Sequence, residues 1–418
     1  MYPKYVFMKL KILTGLLTGL VVSASTTALF CQPSRAGNHS FLCNGSLKYF
    51  STGILNGEPV FNHGIPINTS LRLLASAQVD VGVKIPSASA APGEKAEDFF
   101  IRGEEKYEKG DYQGAIAAYT QAIALNPNYA EAYNGRGNAR YALGDNKGAV
   151  ADYNEALRIN PNYVEAYISR GNARDDSGDR EGAIADYNAA LRINSNDASA
   201  YYNRGVTRYR LGDNKAAVAD YTEALRINPN YASAYKNRGM VRSKLGDKQG
   251  AILDFNEVLR INPNDALAYY NRGIIRYVSG DNQGALADFN EAVRINPNSA
   301  EAYTNRGNAR DDLGDRQGAL ADYDRALQIN PKLADAYLNR GVTRSRLGDK
   351  KGAIADYTAA LRIDPNLADA YLSRGIARAE GGDKPGAMQD FQKAADLFQQ
   401  QGDQDNYQKA INNLRKLQ

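Results

Sequence analysis

The chain has 418 residues, 23% of them charged and 43% hydrophobic, the proportions of an ordinary soluble protein. Its net charge of +4 comes from residues 1–36, which hold Lys4, Lys9, Lys11, Arg35 and no acid. The remaining residues balance 47 basic against 47 acidic side chains, which excludes the one-sided basic field that nucleic-acid binding needs.

Residues 1–36 run lysines first, then an apolar stretch from about Ile12 to Ala24, then small residues. That order predicts a signal peptide and export, to the periplasm or another extracytoplasmic compartment. Met8, followed by Lys9 and Lys11, is an alternative start. Cleavage after Ala24, Ala28 or Ala36 is open. Phe30 before Cys31 is too large for a lipoprotein box. The rival reading is an uncleaved anchor over residues 12–30, weakened by its Thr and Ser; membrane contact is expected only through that segment.

Residues 37–95 carry scattered Gly, Asn, Ser and Pro with no sustained period, and read as a poorly ordered leader and linker. An early cleavage site leaves Cys31 and Cys43 able to pair; cleavage after Ala36 leaves Cys43 alone. Asn38, Asn44 and Asn68 begin glycosylation sequons, relevant only in a eukaryotic secretory host. His39, His63 and both Cys precede residue 96. The stretch 96–418 therefore has no imidazole and no thiol, which removes cysteine nucleophiles, histidine bases and ordinary zinc sites from it. No metal site, cofactor or catalytic residue is expected.

From Ala96 to Gln401 nine units of 34 residues follow one another without gaps, starting at Ala96, Ala130, Val164, Ala198, Ala232, Ala266, Ala300, Ala334 and Ala368. Each predicts two helices. The first has an aromatic at position 4 (Tyr133, Tyr167) and Gly at position 8 (Gly137, Gly171), and stops at a Gly-Asp pair such as Gly144-Asp145. The second has Ala at 20, an aromatic at 24 (Tyr153, Phe255) and a small residue at 27 (Ala156, Val258), and ends at Asn-Pro. Small residues at 8 and 20 let the two helices approach while the aromatics fill the gaps. In residues 402–418, expected to be a capping helix, Tyr407, Ile411, Leu414 and Leu417 fall on one helical face.

In register over residues 96–401, this pattern resembles the tetratricopeptide repeat family. The wording of GDNKGAVADYNEALRINPN looks most like tetratricopeptide proteins of cyanobacteria. The resemblance implies an all-α, right-handed superhelical solenoid, with the first helices of the repeats lining a concave groove. It also implies a non-catalytic scaffold for a protein or extended peptide, with envelope or photosynthetic-complex assembly as candidate processes. A self-associating structural protein and the substrate-binding arm of an enzyme complex are the alternatives; the oligomeric state is open.

Where the family usually has Leu, position 7 here is Arg in every unit, from Arg102 to Arg374, and position 11 is basic from Lys106 to Arg378. Like charges at i and i+4 repel, so an acid is expected nearby. Position 23 supplies it, from Asp152 to Asp390, with Ala118 the exception in the first unit. The expectation is an internal ladder, in which Asp220, Asp254 and Asp288 face Arg204, Arg238 and Arg272. An Arg-lined groove for acidic ligands is the alternative.

Position 6 is Asn in five successive units: Asn203, Asn237, Asn271, Asn305 and Asn339. In family members that bind extended peptides a row of Asn here bonds the peptide backbone, since an amide both donates and accepts. Tyr202 and Tyr270 at position 5, with Tyr209 and Tyr277 at position 12, add aromatic surface. The bland reading is that these residues are simply common at those positions. A clamp for a C-terminal carboxylate is not expected: Met240 and Leu267 stand where its Asn and Lys would be needed. A second period of four repeats pairs NARDDSGDR at 172–180 with NARDDLGDR at 308–316. Common ancestry accounts for it. The sharper reading makes acidic patches of Asp175, Asp176, Asp311 and Asp312, with Arg174 and Arg310 at hand to neutralise them.

Overall fold

The computed structural model of the chain describes residues 94–418; the predicted signal segment, anchor and most of the leader lie outside them. The described residues form 19 helices and no strand, so the fold is all-α. They divide into two compact units, one ending at Val241 and one running Arg242–Gln418.

In the unit ending at Val241 the helices are α1 (Ala96–Glu108), α2 (Tyr112–Leu125), α3 (Ala130–Ala142), α4 (Asn146–Ile159), α5 (Val164–Asp176), α6 (Arg180–Ile193), α7 (Ala198–Arg210) and α8 (Asn214–Ile227). Helix α9 (Ala232–Lys244) contains the division. The second unit holds α10 (Lys248–Ile261), α11 (Ala266–Val278), α12 (Asn282–Ile295), α13 (Ala300–Asp312), α14 (Arg316–Ile329), α15 (Ala334–Arg346), α16 (Lys350–Ile363), α17 (Ala368–Glu380), α18 (Lys384–Gln400) and α19 (Gln404–Arg415). Odd-numbered helices from α1 to α17 are the first of each pair, and even-numbered helices the second.

The pair boundary follows from local chemistry. In the second pair α3 ends at Ala142 with Leu143 as its cap, and Gly144 turns the chain at φ 84°, a left-handed conformation open to Gly. Asp145 then caps α4, its carboxylate accepting from Gly148 N at 2.8 Å. Helix α4 stops at Asn160, whose backbone is extended as the following Pro161 requires.

Packing within a pair follows the small residues. Ala149, Ala183, Ala285 and Ala353 at position 20 are fully buried, as are the rings of Tyr153, Tyr187 and Phe289 at position 24. Each ring rests on the position-8 Gly of its own pair. A Cβ on Gly341 would sit 2.7 Å from Tyr357 Cε1 and 3.2 Å from Asp356 Cβ. Gly341→Ala is therefore expected to cost about 1–3 kcal/mol through overpacking, read as a lower urea midpoint. Consecutive pairs share further core: Ala156, Leu157 and Ala166 pack with Tyr133, Tyr163 and Tyr167.

At the C-terminal end Tyr407 and Ile411 pack against Ala394, Ala395 and Phe398 of α18, as the apolar stripe predicts. Helix α19 ends at Arg415, so Leu417 lies beyond it. Asn406 and Ala410, which the stripe omitted, are the buried residues of that helix. No helix among the described residues is long and apolar enough to cross a membrane.

Candidate functional site

The charged positions lie where the first and second helices of a pair meet. Arg204 Nη2 donates to Asp220 Oδ1 at 2.7 Å, and Arg208 Nη1 donates to Asp220 Oδ2 at 2.8 Å. Arg272 and Arg276 hold Asp288 the same way, at 2.6 and 2.9 Å. Asp254 accepts from Arg242 at 2.9 Å. The carboxylates are deeply covered, with side-chain exposure of 3% at Asp220 and Asp288. One acid thus absorbs the repulsion between two basic residues one turn apart.

Each Arg at position 7 after the first repeat does two further things. Its guanidinium lies over the position-4 ring of its own helix, 5.2 Å from Tyr201 for Arg204 and 5.5 Å from Tyr235 for Arg238. Its Nη1 reaches back to position 25 of the preceding repeat: Arg204 to Asn188 at 2.6 Å, Arg238 to Thr222 at 3.0 Å, Arg272 to Asn256 at 2.6 Å and Arg340 to Asp324 at 2.6 Å. Position 25 escaped the sequence reading. Its signal was present, since Thr120, Asn154, Asn188, Thr222, Asn256, Asn290, Asp324 and Thr358 all offer an acceptor oxygen. In the first repeat, with Ala118 at position 23, Arg102 bonds Glu94 instead, at 2.7 Å.

The Asn row at position 6 is buried, with Asn203, Asn237, Asn271, Asn305 and Asn339 between 3% and 9% exposed. Asn237 Nδ2 donates to the Tyr202 hydroxyl at 3.1 Å, and Asn305 Nδ2 to that of Tyr270 at 2.9 Å. Tyr202, Tyr209, Tyr270 and Tyr277 are buried too, and the Tyr277 hydroxyl donates to Asp312 at 2.9 Å. Burial raises the pKa values of Tyr202 and Tyr270, so both stay protonated. Amides and rings this covered offer a peptide little surface. Two of the five amides have their donors turned to a tyrosine one repeat back.

A second hydrogen-bond pattern, at positions 9 and 24, was also missed. Tyr153, Tyr187 and Tyr323 donate to Asn138, Asn172 and Asn308 at 2.8, 2.7 and 2.8 Å. Where position 24 is Phe289 or Phe391, position 9 is Ile274 or Ile376. Tyr357, with Val342 at position 9, has Ser345 and Ser373 beside its hydroxyl instead. A buried hydroxyl needs a partner, and a ring without one suits an apolar neighbour. Phe289→Tyr is therefore expected to cost about 1–3 kcal/mol, because its hydroxyl would face Ile274. Adding Ile274→Asn should recover part of that loss, a coupling that urea midpoints of the two singles and the double would measure.

Two family models match the repeated sequence. The one described as TPR repeat matches residues 103–144, 137–174, 171–212 and 275–314. The one described as Tetratricopeptide repeat matches 198–231, 232–265, 300–333 and 334–367. Between them they span more than half of the chain. The chain belongs to the tetratricopeptide repeat family. Similar solved structures include MamA, at 28% identity over 40% of this chain and 96% of that one, TM-score 0.37. YrrB, titled a TPR protein with an unusual peptide-binding site, is 26% identical over 44% of this chain and 95% of that one, TM-score 0.40. A tetratricopeptide repeat protein from Parabacteroides merdae is 21% identical over 59% of this chain and 98% of that one, TM-score 0.43. No curated protein matches the chain.

As a tetratricopeptide repeat protein the chain is a helical scaffold. Its acidic and basic side chains at positions 7, 11 and 23 are turned to one another inside the stack. Among the described residues no group of three or more His, Cys, Asp or Glu is placed to hold a metal ion.

Proposed function

We propose that the chain is a non-catalytic scaffold that holds a protein or extended-peptide partner. The observation that carries this reading is the use of its carboxylates. The eight Asp at position 23 are buried and bonded to Arg, in a stretch with no His and no Cys. Repeat arrays of this kind offer extended surface for binding.

The resemblance supports contact through the Asn row; the burial of that row does not. We place the contact instead on exposed apolar side chains at the ends of first helices. These are Leu143 and Leu211 in the unit ending at Val241, and Leu245, Leu313 and Leu347 in the other, each 41–45% exposed. A capture experiment with the full chain separates the two. Leu313→Ser with Leu347→Ser should remove the partner, while Asn237→Ala, Asn271→Ala and Asn305→Ala together should keep it on whatever protein remains folded. Loss in the Asn variant alone would restore the groove reading, and a substrate turned over by the purified chain would end the non-catalytic one.

We also propose export, supported by the lysine-then-apolar order of residues 1–36. The mass of the protein recovered from the exported fraction should show an N-terminus following Ala24, Ala28 or Ala36. A full-length chain in the membrane fraction would favour the anchor.

A further inference from the structure

The paired acids Asp175-Asp176 and Asp311-Asp312 have no part in the ladder. They occupy positions 12 and 13 of α5 and α13, four repeats apart, one pair in each compact unit. In the unit ending at Val241, Tyr141 of α3 donates its hydroxyl to Asp176 Oδ2 at 2.5 Å. Arg210 of α7 bonds Asp175 and also reaches Asp176 Oδ1 at 3.4 Å. Arg180 Nε stands 3.8 Å from Asp175 Oδ1. In the other unit Tyr277 of α11 donates to Asp312 at 2.9 Å, Arg346 of α15 bonds Asp311, and Arg316 Nε stands 3.8 Å from Asp311 Oδ1.

We propose that each pair of acids is a clasp that ties the first helices of three successive repeats into one block, and that the chain carries two such blocks. Three observations support it. The bonds run Tyr–Asp and Asp–Arg in the same order in both units. The inner acid of each pair is covered, with side-chain exposure of 0% at Asp175 and 6% at Asp311. The repeat between the two blocks has Ser243 and Lys244 at the same positions, so it supplies no carboxylate. Ladder bonds recur in every repeat after the first and mark no boundary. Among the described residues the Tyr–Asp–Arg clasp is seen at these two places, and so distinguishes them from the ladder. In a solenoid, stability is a sum of repeat and neighbour terms, so a bond present at some junctions only sets which repeats open together.

The acids are positioning residues, tested by amide hydrogen exchange of the full chain followed by mass spectrometry. Asp311→Asn should speed exchange about tenfold or more in α11, α13 and α15 together, leaving α3, α5 and α7 within about twofold of wild type. Asp175→Asn should give the mirror result. Asp322→Asn, which removes one ladder rung, should act on α13, α14 and the adjoining second helix α12, without the three-helix pattern. If Asp311→Asn does not fold, Tyr277→Phe removes one hydroxyl from the same clasp and should show the pattern at smaller amplitude. Exchange unchanged, confined to α13 and α14, or raised equally in both units would overturn the proposal.

Discussion

Asp288→Asn should lower the unfolding free energy by about 3–5 kcal/mol, among the largest effects of any single exchange in this chain. The new side chain has the same shape, so no cavity forms. What is lost is the charge between two guanidinium groups. Arg272 donates to Asp288 through Nη2 at 2.6 Å and Nε at 3.0 Å, and Arg276 through Nη1 at 2.9 Å. With a neutral amide there, two cations one turn apart face each other in a site that water barely enters. The urea midpoint of the full chain should fall, and exchange should quicken first in α11 and α12. Partner capture by the protein that stays folded should not change. An unaltered midpoint would mean that the acid is dispensable to the stack.

Tyr187→Ala should cost a similar amount, about 3–5 kcal/mol. The ring is fully buried, and a Cβ on Gly171 would lie 2.7 Å from it, so α5 and α6 are shaped around it. Its removal leaves a cavity that helices locked by neighbours on both sides cannot close. It also strips Asn172 of the hydroxyl that donates to it at 2.7 Å. Tyr187→Phe keeps the ring and loses only that bond, so its loss should be nearer 1 kcal/mol. Unfolding in urea distinguishes the two; equal losses would show that the hydroxyl, not the ring, matters.

The architecture was legible because it depends on features that repeat: Gly and Ala where helices touch, rings beside them, Gly-Asp and Asn-Pro at the ends. The partnership of position 7 with position 23 could be read as well. A basic residue in place of Leu at a packed position demands an acid, and one acid recurs in step with it. Its third member was not legible. Asn188 and Thr222 look like ordinary helix-surface residues until the next repeat brings an Arg over them. The burial of the Asn row was not legible for a related reason. Its spacing places it on the first helix, but how much of it stays open depends on how closely the preceding repeat's Tyr202 or Tyr270 leans across. Neither common ancestry nor the acidic-patch reading of Asp175 and Asp311 pointed to their partners, Arg210 and Arg346, because these lie a whole repeat further along the chain.

With every position-23 acid bonded to Arg, the charged rows hold the repeats together and do not wait for an acidic ligand. A double-mutant cycle on Asp288 and Arg272 tests it most directly, from the unfolding of wild type, Asp288→Asn, Arg272→Gln and the double variant. A favourable coupling of about 1–3 kcal/mol is the predicted result. A coupling within about 0.3 kcal/mol of zero, the range of independent sites, would contradict it.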